Sequence, residues 1–472
     1  MKYQNDKVTE MKITYIGGGS REWARFFMGD LALEPQLSGK VVLYDIDHEA
    51  AKQNATIGNK ISAGKWAYEA VETLEEALVG ADFVAISIQP GTFYEMESDV
   101  HLPERLSIYQ SVGDSTGPGG MIRALRTIPV FAEFAENIKR YAPNAWVINY
   151  TNPMSLCTKV LYHVYPEIKA IGCCHEIFGT QELLKRMIES ELGLTVNSRA
   201  EIKVNVLGIN HFTWIDVASY KGIDLMPVYE KFVNENFDEG INTHHSENWE
   251  DSSYASLNRV KFDLFRKYGY IAAAGDRHLA EFVSSDIYLK NPEVVKNWTF
   301  GLTKVEERRV ELKERQARSI RLFKGEEEIE FIETGEEGVR LIKALCGLDD
   351  FITNVNIPNA SGQISNLSKD ALVEVNAVFG RDMMRPIFAG EIPECILELT
   401  KPHLENHERI LQAGLTCDKQ LVIDAFLADP LVSDEIPVDE VITLIDDMIQ
   451  NTMDYLPEGW KTHIKSNTND GS

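Results

Sequence analysis

The chain has 472 residues, 44% of them hydrophobic and 25% charged, which is enough for two or three domains around a large buried core. Its formal charge of −26 argues against nucleic acid or an anionic membrane as partner, because both would be repelled. No apolar run reaches the roughly 18 residues of a membrane span, and polar Met1 to Glu10 holds no signal-type core. The six cysteines (Cys157, Cys173, Cys174, Cys346, Cys395 and Cys417) form no short-spaced framework, so they are expected to be reduced thiols in the cytoplasm.

Met1 to Glu10 is expected to be a frayed extension. From Met11, Lys12 to Ile16 is a short apolar strand closing on Gly17-Gly18-Gly19-Ser20, with a helix following through Ala32. Lys40 to Asp45 is a second strand ending in an acid, and Ala81 to Ile88 a third, ending at Gln89-Pro90-Gly91. Ala145 to Asn149 and Ile168 to Cys173 are a fourth and a fifth. Strands separated by helical segments imply a parallel sheet with right-handed crossovers. From about residue 200 the pattern changes. Ile202 to Leu207 and Thr213 to Ser219 alternate like strands of a mixed sheet, and Ser252 to Lys267 and Thr303 to Leu322 look helical. Asn234 to Asp251 is a polar loop whose His244-His245 pair is expected in solvent. Glu405 to Ala428 and Val438 to Met453 are further helices, and Lys461 to Ser472 is a polar tail. The fold class is α/β: a Rossmann-like, doubly wound parallel sheet over 11–200, then a mixed α+β domain over 201–460. Residues 1–10 and 461–472 are expected as tails.

Gly17, Gly18, Gly19 and Ser20 sit between strand and helix, where backbone amides can approach a pyrophosphate with no Cβ intervening. Asp45 ends the second strand, where a carboxylate can take the ribose hydroxyls of NAD and disfavours the phosphate of NADP. Gln89, Pro90 and Gly91 follow the third strand on the same edge. The competing reading is a plain strand–turn–helix with an incidental aspartate.

Cys174 follows the fifth strand and His211 follows a later one. Thiolate and neutral imidazole suit a borderline divalent ion, and only two protein ligands would leave positions open for substrate oxygens. Each residue alone would more often be a buried core group. Asn149-Tyr150-Thr151-Asn152-Pro153 offers amides for hydroxyl recognition. The glycine-rich stretch Gly113 to Gly120 carries Asp114 and leads to Arg123 and Arg126, while Gly275-Asp276-Arg277-His278 packs an acid, a cation and an imidazole together. That last cluster is equally readable as a helix start with Asp276 as cap and Arg277 in solvent.

These motifs, with Cys174-His175-Glu176-Ile177 and Gly208-Ile209-Asn210-His211, together resemble the NAD- and metal-dependent glycosidases of glycoside hydrolase family four, from about residue 11 to 435. Cys-His-Glu-Ile is similar to the Cys-His-Glu-Val pattern of the family's α-galacturonidases. The resemblance implies a lactate/malate-dehydrogenase-like core, NAD and a divalent metal, most often Mn, as cofactors, and a homodimer or homotetramer. It also implies hydrolysis of α-D-galacturonides by oxidation at C3, metal-assisted elimination across C1–C2, water addition and re-reduction. That route is an exception to the two-carboxylate mechanism. By the same resemblance, Cys174 and His211 are the metal ligands, and Asn149, Asn152 and Glu176 contact substrate. His175 is the candidate proton donor. Asp276 is the candidate base or its support, with His278 the alternative, and Asp114 tunes that base. A guanidinium must receive the substrate carboxylate; Arg277 is first choice, then Arg123 and Arg381. The alternatives are an α-glucosidase, α-galactosidase or α-glucuronidase of the same family, an NAD-dependent 2-hydroxy-acid dehydrogenase, and a non-catalytic NAD sensor.

Overall fold

The structure, a computed structural model, describes residues 1–243, 249, 254–329 and 334–464. His244-His245 and residues 465–472 lie outside it. Seven strands belong to the first 200 residues: β1 (Lys2–Gln4), β2 (Lys7–Ile16), β3 (Leu37–Tyr44), β4 (Trp66–Val71), β5 (Phe83–Ile86), β6 (Trp146–Asn149) and β7 (Lys169–Gly172). Among the described residues a further seven follow: β8 (Lys203–Ile209), β9 (Phe212–Tyr220), β10 (Ile223–Asp224), β11 (Ile271–Ala272), β12 (Phe351–Pro358), β13 (Leu372–Gly380) and β14 (Met383–Pro386).

Strands β7-β6-β5-β2-β3-β4 lie side by side and parallel. Every residue of β5 and β6 is buried, because helices cover both faces of the sheet; this is why these strands are continuous apolar runs. Threonine–glutamate capping boxes at Thr73 and Thr92 start the short helices Leu74–Leu78 and Phe93–His101. The second of these begins just past Gln89-Pro90-Gly91 and so fixes that turn.

The chain departs from expectation in several places. Lys2–Gln4 is no loose extension but pairs antiparallel with Lys7–Thr9, because Val8 is fully buried and anchors the hairpin. The helix expected over Glu405 to Ala428 is two, Glu394–Thr416 and Lys419–Leu427. Cys417 turns left-handed between them (φ 59°), and Asp418 caps the second. Of the helix expected over Ser252 to Lys267, Ser252 and Ser253 lie outside the described residues, and among those described the helix runs Arg259–Tyr268. Strands β12, β13 and β14 extend the N-terminal sheet beyond β7 in antiparallel fashion, so the sheet is mixed. One hydrophobic cluster draws residues from both sides of residue 200, and a second one is confined to Ile177–Ala273. Gly172 permits the junction: a Cβ there would lie 2.8 Å from that of Asn356. The second sheet, β8 to β11, is antiparallel. Among the described residues no helix is long and apolar enough to cross a membrane.

Candidate active site

The carboxyl ends of the parallel strands define one edge, the place where such sheets bind ligands. Here β2 runs into the glycine turn, β3 into Asp45, β5 into Gln89, β6 into Asn152 and β7 into Cys174. The glycine turn is closed by the protein's own hydrogen bonds. Gly17 and Gly18 amides both donate to Tyr44 O at 2.9 Å, Gly19 N donates to Asp45 Oδ2 at 2.8 Å, and Ser20 N to Gly17 O at 3.0 Å. A Cβ on Gly17 would lie 1.9 Å from Ser87 O. The turn's amides are thus engaged within the protein, and glycine is demanded by the close approach of β3 and β5. Asp45 accepts Gly19 N and Asp47 N on separate oxygens, which leaves each one lone pair for a further donor. Pro90 O accepts Arg126 Nε at 2.9 Å.

On the other side of this edge three polar atoms converge. Asp114, His211 and His278 each offer an atom within 4.8 Å of the others. His211 occupies the two-residue turn joining β8 to β9 and is left-handed (φ 63°), which aims its ring back at the sheet edge. Ser115 Oγ lies 2.8 Å from both Asp114 Oδ1 and His211 Nδ1. Against burial, Arg123, His278 and His211 hold the Asp114 carboxyl below its usual range. Burial and His278 push His211 down to about 3, so it is neutral. Cys174 stands apart from these three. Its thiol bonds the Asn210 side chain, and burial beside Glu374 and Glu176 raises it well above the usual thiol range. His278 Nδ1 and Asn152 Oδ1 are buried without a hydrogen-bond partner among the described residues. A carboxylate and two imidazoles, converging beside the orphaned Asn152 Oδ1, form a donor set that fits a divalent cation.

The family 4 glycosyl hydrolase model matches residues 12–190, and the model of that family's C-terminal domain matches residues 206–432. The chain belongs to family 4 of the glycosyl hydrolases. It is 60% identical over 465 residues to an alpha-galacturonidase of Lachnoclostridium phytofermentans, covering 98% of this chain and 100% of that one. The crystal structure of a Bacillus subtilis protein provisionally named a glucosidase superposes with a TM-score of 0.90 at 51% identity, over 93% of this chain and all of that one. A 6-phospho-alpha-glucosidase from gut microorganisms, in complex with NAD and Mn²⁺, shares the fold with a TM-score of 0.79 at 20% identity, over 95% of this chain and 99% of that one.

Several residues of this family 4 hydrolase are placed differently from expectation. Asn149 is fully buried; its amide nitrogen meets Thr151 O and Thr158 Oγ1 at 3.3 Å, and its oxygen takes Thr151 N at 2.9 Å. These bonds shape the loop that follows β6. Asn152 does reach the cluster, with Nδ2 3.3 Å from Asp114 Oδ2. Asp276 is not one of the three clustered residues; its Oδ1 accepts Lys261 N at 3.0 Å, anchoring the start of helix Arg259–Tyr268. Burial raises it to about 6. Arg277 is engaged by Ser111 O, Thr303 Oγ1 and Gly301 O, and Arg381 packs on the Tyr3 ring near the far edge of the sheet. Two of the three guanidinium nitrogens of Arg277 are thereby taken up, and Arg381 lies in the β13–β14 turn. Arg123 donates to Asn152 O at 3.2 Å.

Glu176 accepts Gly275 N at 2.8 Å and lies 3.8 Å from His278 Nε2; His278, unlike Asp276, is one of the clustered three. His175 stacks on Trp23 at 5.9 Å and meets Glu336 at 3.0 Å. Against burial, the Glu336 hydrogen bond raises it to about 9, with the side chain 47% exposed. Ser115, Trp23, Glu336, Glu374 and Arg308 were not legible as site residues. Arg308 lies 4.2 Å over the Tyr254 ring and feels the Asp114 charge. Only Ser115, next to Asp114, carried a local signal.

Proposed function

We propose that this chain hydrolyses α-D-galacturonides by oxidation at C3, elimination across C1–C2, hydration and re-reduction, with NAD and a divalent ion, Mn²⁺ by preference, bound at the sheet edge. The observation that carries the substrate is the 60% identity to an alpha-galacturonidase along 98% of the chain. The convergence of Asp114, His211 and His278 supports the chemistry.

Cys174 and His211 would hold the ion, with Asp114 and His278 beside them. NAD would lie along Gly17–Ser20, Asp45 and Gln89–Gly91. These two groups supply a reversible hydride acceptor and a Lewis acid, which side chains cannot provide. The chain's own residues do the rest. Asn152 presents its unpartnered Oδ1 to a substrate hydroxyl. His278, with Nδ1 unpartnered and Glu176 behind its Nε2, is placed to take the C2 proton. Asp276 supports it by fixing the segment that carries it. His175, proton-bearing through its bond to Glu336, gives a proton to the departing oxygen. Arg123 and Arg308 remain as receptors for the substrate carboxylate.

Six unpaired cysteines suit the cytoplasm, and the family resemblance favours a homodimer or homotetramer, which light scattering reads directly. The test of function is an assay on aryl α-D-galacturonide with Mn²⁺ and NAD⁺. Turnover without net NADH, abolished by chelator and restored by Mn²⁺, is expected. Equal or faster turnover of the α-galactoside or α-glucoside would overturn the substrate, and stoichiometric NADH would favour a dehydrogenase.

A further inference from the structure

Glu374 is the third residue of β13 and is 1% exposed. No cation pairs with it among the described residues; its neighbours are asparagines. Asn354 Nδ2 donates to Oε1 at 2.6 Å, Asn210 Nδ2 donates to Oε2 at 3.3 Å, and the Asn356 side chain adds a third bond. Two of these asparagines continue to one residue. Asn354 Nδ2 also donates to Cys174 O at 3.2 Å, and the Asn210 side chain bonds the Cys174 thiol. Asn210 is also the residue before His211.

An asparagine amide can flip to present either oxygen or nitrogen. Here both oxygens of Glu374 accept from these amides, which settles the choice. Both amides must turn their NH₂ groups towards it, and the second hydrogen of each is left for Cys174. We propose that Glu374 is a positioning residue for metal binding: it orients Asn210 and Asn354 so that both donate towards Cys174 and hold its sulfur as a ligand. Four elements meet at this carboxylate, namely β12, β13, the end of β7 and the β8–β9 turn. Support of this kind behind a ligand commonly changes metal affinity about 10- to 100-fold. The inference rests on the reading of Cys174 as a ligand.

Glu374→Gln tests it, because the volume is kept while one acceptor becomes a donor and faces two amide donors. Metal-free protein is titrated with Co²⁺, following the near-ultraviolet thiolate-to-cobalt charge-transfer band, and with Mn²⁺ by electron paramagnetic resonance. NAD binding is followed by fluorescence. Wild type is expected to show the band. Glu374→Gln is expected to lose most of it and to bind Mn²⁺ about 10- to 100-fold more weakly, with NAD affinity unchanged. In a Cys174→Ser background the same substitution should cost little more, because both changes remove one interaction. Wild-type behaviour of Glu374→Gln, additivity with Cys174→Ser, or loss of fold or NAD binding together with metal would overturn the proposal. Absence of the band in wild type would instead remove Cys174 as ligand, and the inference with it.

Discussion

The rings of His211 and His278 meet with centroids 3.8 Å apart and planes inclined by 37°. Two imidazoles this close in a buried setting cannot both be charged. Burial and His278 drive His211 down to about 3, so His211 stands ready as a neutral donor, the state in which a histidine binds a metal. Asp114, held ionised beside them, supplies the negative charge that favours a cation there.

Loss of a ligand should separate metal from nucleotide. Cys174→Ser and His211→Ala are each expected to lower Mn²⁺ affinity by at least about 10- to 100-fold and to lose most activity. NAD binding should persist, and extra NAD⁺ should not rescue either variant. Calorimetric titration of both ligands checks this; full activity of Cys174→Ser in metal-limited buffer would take that residue out of the site.

Arg277 offers a second test, since its guanidinium is engaged by Ser111 O, Thr303 Oγ1 and Gly301 O. These bonds fix the segment leading to Asp114. Arg277→Ala should therefore destabilise the protein by on the order of 3 kcal/mol and depress activity towards galacturonide and neutral galactoside alike. A selective loss of galacturonide activity, read from kcat/KM on both substrates, would return Arg277 to the role of carboxylate receptor.

The elimination route leaves an isotopic mark. Hydrolysis in D₂O should place deuterium at C2 of the released sugar, because the proton taken there exchanges before water adds. His278→Ala should slow this exchange far more than Asp276→Asn does. Product without C2 deuterium, by nuclear magnetic resonance, would favour direct displacement.

His403 gives a pH dependence with a definite sign. Its Nε2 lies 2.9 Å from Phe282 O and its Nδ1 3.0 Å from Thr116 Oγ1, just beyond Asp114 and Ser115. Burial lowers it to about 4. The unfolded residue takes a proton near pH 6.5, which the folded one refuses. Its contribution is therefore full above about pH 6.5 and is lost as pH falls towards 4, by up to about 3 kcal/mol. His403→Gln should flatten the fall of Tm between these pH values relative to wild type; an unchanged slope would contradict this.

Local order settled what the sequence alone could determine. Apolar runs closing on glycine or acid marked the parallel strands, and residues just past strand ends were placed on the ligand edge. For that reason Asp45, Asn152 and Cys174 were assigned to that edge, glycine content drew attention to the Asp114 loop, and the motifs were enough to show the family resemblance. Tertiary structure decided which polar groups remain free. Asn149, Asp276 and Arg277 look like site residues in the chain, yet each is engaged by backbone that the fold brings to it. Glu374 looks like an ordinary strand residue, yet it stands behind Cys174. Its bond to Asn210 spans 164 residues, and the antiparallel addition of β12 and β13 to β7 creates that contact. A hydrogen bond depends on distance and direction in space, and residue type and spacing along the chain carry neither across such a separation.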